Sequence, residues 1–325
     1  MRGATGGGAY RRYLVLGSIA LVVFTLIGLR IVVGPLGSVW DIITSIPPGS
    51  LIIALAFIVA GEVVRGFRLV IIARLLGIKV PVVGAIVARL LGRWASLLSP
   101  ASIASTPLRA GVIGAYSGLG VGEATGLSIL ETIYDLVIPV FLTLIIGVLG
   151  FPDTWFLLLV ALLVSGLWVL GILFANTPTV EELVLRYTGR REWWCYARRQ
   201  RLLFLKILRG SLSFWLAASS LALTLVAHLL ESIAVGSMVS WSGGVLWWFI
   251  VLEVSYAMAM TPMPGGALLS EYGLGSIMSG EDLVRWRTTY ILAGLLPGSL
   301  LLVLIPSLRR YLEEISKGLG ECVEE

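Results

Sequence analysis

Residues 260–275 read "MTPMPGGALLSEYGLG" and fall between two long apolar stretches. Pro262, Pro264, Gly265 and Gly266 lie within five positions, and a carboxylate, Glu271, follows. Proline removes backbone donors and glycine disfavours helix, so the backbone should break here. Broken backbone at membrane depth persists only where protein or a water-filled cavity satisfies its polar groups. The stretch therefore predicts a helical membrane protein with an interrupted segment facing a polar interior.

Composition supports that class. Of 325 residues, 58% are hydrophobic and 13% charged, with a mean hydropathy of +0.96. A soluble domain carries roughly 25% charged residues. The expected fold is all-α: a polytopic membrane protein with about seven spanning helices, plus one or two re-entrant broken segments. The net charge of +5 comes from arginines clustered beside apolar runs. That is a topology signal, and it argues against a nucleic-acid partner. Cys195 and Cys322 lack metal-ligand spacing and read as two free thiols. No Walker loop, G-x-S-x-G or H-E-x-x-H is present, and "GLGVGE" (118–123) follows no strand. No cofactor and no metal are expected.

Residues 1–12 are a basic N-terminal segment, and Tyr13–Val33 reads as a retained first helix, since no A-x-A-like site follows. A second apolar run, Leu51–Val64, closes at Arg65, Arg68, Arg74 and Lys79. The positive-inside rule places that cluster and the N-terminus in the cytoplasm, with the chain in the cell (plasma) membrane. The membrane domain is expected to cover 13–308. Its halves, 50–175 and 210–308, read as a weak repeat joined by a basic cytoplasmic loop, 176–209. The tail, 309–325, mixes signs, and its side stays open.

Between the second run and a span beginning near Thr125, residues 81–123 carry Arg89, Arg93 and Arg109. They break at "SPASIASTP" (99–107), which holds Pro100 and Pro107. Counting spans back from the basic loop makes this segment enter and leave on one side, as a re-entrant hairpin or a pair of crossings. Paired breaks at matching places in two halves point to a transporter-like binding site.

Several charges stand where hydrocarbon is expected. Glu131 and Asp135 share a helix face with Tyr134 nearby. A carboxylate at the bilayer centre costs about 2.5 kcal/mol or more, so the pair either lines a polar cavity or lies at a solvated helix end. Arg65 and Arg68 either snorkel to headgroups from the cytoplasmic end of their helix or join that cavity. Arg109 follows a break, which favours a role in binding. A half-helix starting at Gly265–Gly266 would offer free N–H groups to a phosphate. Glu271 would then be its counter-charge or an arginine's partner. His228 and Glu231 appear near the outer end of one span, with His228 hydrogen-bonded inside, and Glu253 pairs with Tyr256.

These stretches, "GEVVRGFRLVIIARLLG", "SPASIASTPLRAGVI", "ILETIYDLVIPVFLTL" and "TPMPGGALLSEYGL", resemble in order the lysylphosphatidylglycerol synthase transmembrane family, across roughly residues 50–308. The most specific piece is P-x-P-G-G-x-x-x-x-E, met by Pro262, Pro264, Gly265, Gly266 and Glu271. An L-R-x-x-R-W-like start matches at Arg65 and Arg68, with Leu69 in the aromatic's place. A Pro–Gly–acid–Arg pattern matches at Pro100 and Arg109, with Ser105 and Thr106 for the Gly and acid. Glu131 and Asp135 match E-R-x-x-D, with Thr132 for the Arg. The resemblance implies a stand-alone, flippase-like membrane domain handling an anionic lipid headgroup.

The leading expectation is thus a translocase or scramblase of an anionic phospholipid or polyprenyl-phosphate-linked lipid. Its cavity would use Arg65, Arg68, Arg93, Arg109, Glu131, Asp135, Gly265, Gly266 and Glu271. One alternative is an enzyme acting on a lipid-linked phosphate, with Glu131, Asp135 or Glu271 as base. Another is a membrane partner that docks a cytoplasmic synthase or glycosyltransferase on the basic loop. A homo-oligomer also stays open.

Overall fold

The computed structural model describes residues 6–99, 102, 104–148, 201–207, 213–239, 244–259, 264 and 266–302, with isolated positions between 159 and 198. Most of the basic loop, the tail, and the calls on Pro100, Pro262 and Gly265 lie outside the described residues.

Proline and glycine punctuate the helices as their backbone chemistry requires. Helix α3 (Pro48–Leu75) starts on Pro47 and Pro48, and α4 (Val82–Leu98) on Pro81. Pro107, expected as a breaker, instead lies in the first turn of α5 (Ser105–Ser117), where a missing N–H costs nothing. Gly118 ends that helix at φ 64°, donating its N–H to the Gly114 carbonyl. The remaining helices are α1 (Gly6–Val33), α2 (Leu36–Thr44), α6 (Val121–Val148), α7 (Phe214–Met238), α8 (Gly244–Ala259), α9 (Leu269–Gly275) and α10 (Gly280–Leu302). All regular elements among the described residues are helices.

Among the described residues, three helices are long and apolar enough to cross a membrane: α3, α6 over Val121–Leu142, and α7. Ser18–Val33 and Gly37–Thr44 meet the same measure only as a pair, bent by 102°. Arg285 and Arg287 lower the hydropathy of α10 near its start. At 1.5 Å per residue α4, α5 and α8 reach about 25, 20 and 24 Å, short of a hydrocarbon core of ~30 Å. Residues 82–117 therefore form a hairpin of two short helices packed on each other.

The expected break after residue 259 is present. The described part of α8 runs to Ala259, and Pro264, buried and outside any helix, accepts a hydrogen bond from the Ala267 N–H at 3.0 Å. Gly266 sits at φ 68°, where an added Cβ would meet the Met258 carbonyl oxygen at 2.5 Å, so no side chain fits. Leu268 also adopts a positive φ, 71°.

Hydrophobicity is inverted relative to a soluble protein. Ile52 and Ile53 on α3, Phe141 on α6, and Leu225, Val226 and Leu229 on α7 point outward. Glu62, Arg65, Arg68, Glu131 and Glu231 point inward, all at most 3% exposed. Two apolar clusters close the interior at either end. One holds Ile58, Trp94, Val235 and Met258; the other holds Leu69, Ala88, Leu127 and Leu216. The buried charges Glu62, Arg65 and Arg68 on α3, Arg93 on α4, and Glu231 on α7 occupy the turns between these clusters. Helix α3 packs most extensively on α7.

Candidate functional site

The charges form one layer, and it falls at mid-helix. Glu62 and Arg65 lie near the centre of α3, Glu131 near the centre of the α6 span, and His228 and Glu231 near the centre of α7. This corrects two placements. Arg65 and Arg68 do not end their helix, because α3 continues to Leu75, and neither snorkels, being 1% and 0% exposed. His228 and Glu231 are likewise interior, at 1% and 0%. The run of apolar residues ends at Val64, but the helix continues because Arg65 and Arg68 find partners inside.

Glu62 accepts from Arg65 at 3.3 Å, Arg89 Nε at 3.0 Å and Arg93 at 3.1 Å. Arg65 forks onto Glu231, with Nη1 and Nη2 at 2.5 and 2.8 Å. Arg68 reaches Thr224 at 2.5 Å, Glu131 Oε1 at 3.1 Å and Asp135 at 2.8 Å. Arg89 spans from Glu62 to Glu131 and Asp135, at 3.2 and 2.7 Å. The solvated-end reading of Glu131 and Asp135 is thereby corrected: Glu131 is fully buried and Asp135 is 19% exposed. Tyr256 of α8 donates to Glu231 and accepts from Arg65 Nη2 at 3.1 Å. Tyr256 thus pairs with Glu231, while Glu253 pairs with His228.

Arg109 differs from its neighbours. Its Nη2 donates to Ser105 and Thr132 hydroxyls at 3.0 and 2.6 Å. The nearest carboxylate oxygens lie at 3.6 Å (Glu131) and 3.9 Å (Asp135). Its Nε and Nη1 are buried without a hydrogen-bond partner, as are Nε and Nη2 of Arg93. The Arg109 side chain crosses α4 at Gly92, where a Cβ would come within 2.5 Å of its Cγ.

These groups line a cavity of about 70 Å³, walled by Glu62, Arg65, Arg89, Arg93, Arg109, Asp135 and Tyr256 with the hydroxyls of Ser96, Ser102, Ser105 and Thr132. That volume holds a few waters or a small charged group. Five guanidiniums (Arg65, Arg68, Arg89, Arg93, Arg109) face four carboxylates (Glu62, Glu131, Asp135, Glu231). Guanidinium does not deprotonate in proteins, so among the described residues the layer holds one more cation than anion. Buried ion pairs gain little net stability, because desolvation offsets their attraction. A layer this dense at mid-helix is therefore a candidate functional site rather than a stabilising device.

Glu271 lies apart from this layer. In the first turn of α9 it accepts from Arg287 Nε at 2.6 Å, which assigns it as an arginine's partner. Arg287 and Arg93 both stack on the Tyr290 ring, at 5.6 and 4.8 Å, so one ring separates the pair from the cavity. Helix α9 has only seven residues, and its first turn is already occupied by this carboxylate. Gly266 belongs to the turn before it.

Among the residues that matter, Glu62, Arg89, Glu231, Tyr256 and Tyr290 stand outside the expected cavity set. Glu62 and Glu231, lone acids in "VAGEVV" and "HLLESIAV", carried the signal: an acid inside a long apolar run. Among the described residues no group of three or more His, Cys, Asp or Glu is arranged to hold a metal ion. No family model matches this chain, and no curated protein matches it either.

Proposed function

We propose that this chain is a translocase or scramblase whose central polar cavity receives the anionic headgroup of a phospholipid or polyprenyl-phosphate-linked lipid. The observation that carries this reading is the surplus guanidinium of Arg109, with two unbonded nitrogens on the cavity wall. An oxyanion there would accept from Arg109 and Arg93 and balance the layer's charge, and charge-assisted hydrogen bonds of this type are the strong ones. Arginine suits such a site because its planar fork matches a phosphate oxygen pair. A headgroup crossing hydrocarbon needs a polar stop at mid-depth, and the position of this layer at mid-helix supports that role.

The proposal includes about seven spans, a plasma-membrane location and a cytoplasmic N-terminus, supported by the arginine-rich segments. The resemblance to flippase-like proteins points the same way. The enzyme reading has less support: among the described residues every cavity carboxylate is engaged by a guanidinium, and no nucleophile–base pair lines the wall.

The test is transbilayer movement of fluorescent phosphatidylglycerol and phosphatidylcholine in proteoliposomes. Movement of the anionic lipid that Arg109→Ala abolishes, in folded protein, supports the reading. Equal movement by wild type and variant, or none by either with any anionic lipid, removes it.

A further inference from the structure

One buried titratable pair takes no part in the ion layer yet touches it. His228 of α7 and Glu253 of α8 face each other with Nδ1 and Oε1 at 2.7 Å, at 1% and 0% exposure. His228 Nε2 and Glu253 Oε2 are buried without a hydrogen-bond partner. The imidazole stacks on Tyr256, with ring centres 5.1 Å apart and planes 22° apart. Tyr256 in turn donates to Glu231, the carboxylate that holds Arg65, and its ring lines the cavity.

We infer that His228 and Glu253 form a proton-binding site, and that its protonation and anion binding in the cavity favour each other. This coupling rests on the reading of the cavity as an anion site.

The charge balance gives the reason. With imidazole neutral and carboxylate ionised, the pair buries one negative charge on a single hydrogen bond, a costly state in apolar surroundings. One proton, on the ring or on the carboxyl, removes that net charge. The facing groups are Glu253 and Tyr256 from α8, Arg65 from α3, Asp135 from α6, and Tyr290 from α10 across the Tyr256 ring. Glu231 lies on the same helix, one turn on. Arg65 and Asp135 are committed to the ion layer, so the proton on the pair is the charge free to change. A unit charge on the order of 10 Å from a bound anion, at an effective dielectric near 20, changes affinity by about tenfold. Losing the proton leaves a negative charge that repels the anion. Gaining it removes that repulsion, and by linkage the anion raises proton affinity by the same factor. A lipid that enters with a proton and leaves without one would be driven by a pH difference.

His228 is the only histidine in the sequence, so imidazole ¹⁵N shifts of histidine-labelled protein, purified without a histidine tag, report on this site alone. We expect a single titration between about pH 5 and 8, the range in which histidine changes charge. Its midpoint should rise by about one unit when dihexanoylphosphatidylglycerol is added in neutral detergent. Dihexanoylphosphatidylcholine should not move it, and Arg109→Ala should cancel the rise. Ring shifts that stay flat from about pH 4 to 10 overturn the proton site. A midpoint unchanged in Glu253→Gln removes Glu253 from it. An unmoved or falling midpoint with the anionic lipid overturns the coupling. A direct binding isotherm then separates the causes: no binding sinks the anion cavity as well, whereas binding without a shift leaves that cavity standing.

Discussion

Arg109 Nη2 donates to the Thr132 hydroxyl at 2.6 Å, and Thr132 returns its own proton to the Ser128 carbonyl at 2.9 Å. A neutral hydroxyl thus holds a charged group that the other arginines of the layer hold with carboxylates. Ser105, Thr106 and Thr132 meet at this α5–α6 contact: Ser105 binds Arg109, and the Thr106 carbonyl accepts from Ser128.

Arg109→Met should therefore leave the fold stable to within about 1 kcal/mol, since it removes a surplus buried charge and keeps much of the volume. Affinity for short-chain phosphatidylglycerol should fall at least tenfold. Unfolding in detergent and a binding isotherm check both halves. A loss of stability beyond about 3 kcal/mol would identify Arg109 as a structural residue.

Thr132→Asp separates charge from shape. It gives Arg109 a carboxylate of similar size and balances the layer, so anion binding should fall about as far as in Arg109→Met while the guanidinium stays in place. Anion affinity kept at the wild-type level would show that surplus charge is not what recruits the ligand.

Glu231→Gln leaves Arg65 buried without its forked partner. Removing one member of a buried pair costs about 3–5 kcal/mol, and thermal unfolding in detergent should show a loss of that size. Arg65→Met combined with Glu231→Leu should recover much of it, because apolar groups of similar volume need no partner. A double variant as unstable as the sum of the singles would contradict the pairing.

Gly66→Ala tests how closely α3 and α4 approach. The added Cβ would lie 3.1 Å from the Ile86 Cα and 3.2 Å from its N, and backbone atoms cannot swing aside. A loss of about 1–3 kcal/mol is expected. Gly37→Ala meets nothing within 4 Å and should be neutral or slightly stabilising.

The parts of this fold legible in the sequence are those decided by local chemistry. Pro264 and Gly266 mark a break because their backbones permit little else, and residues 264 and 266–268 are non-helical, with Gly266 at a positive φ. Arg89 and Arg93 share a face by spacing alone. Partnerships are different. Arg65 and Glu231 stand 166 positions apart, and no periodicity connects them. An averaging window counts each arginine as a loss whether or not an acid awaits it, so Leu51–Val64 reads as a whole run although α3 extends to Leu75. Glu271 was visible as an acid after a break, but Arg287 as its partner required the packing of α9 on α10.

That separation between Arg65 and Glu231 also bears on how the protein is made. The ribosome delivers all five arginines of the layer, with Glu62, Glu131 and Asp135, long before residue 231 emerges. Until α7 arrives, five cations have three acids among them, and Arg65 lacks its strongest partner. Early helices cannot settle into lipid in that state and must wait beside water or an insertion machine. A nascent chain cut at residue 212 should be cleared by quality-control proteases faster than the full chain, and pulse-chase turnover measures the difference. Membrane integration is in this sense completed from the C-terminal half backwards.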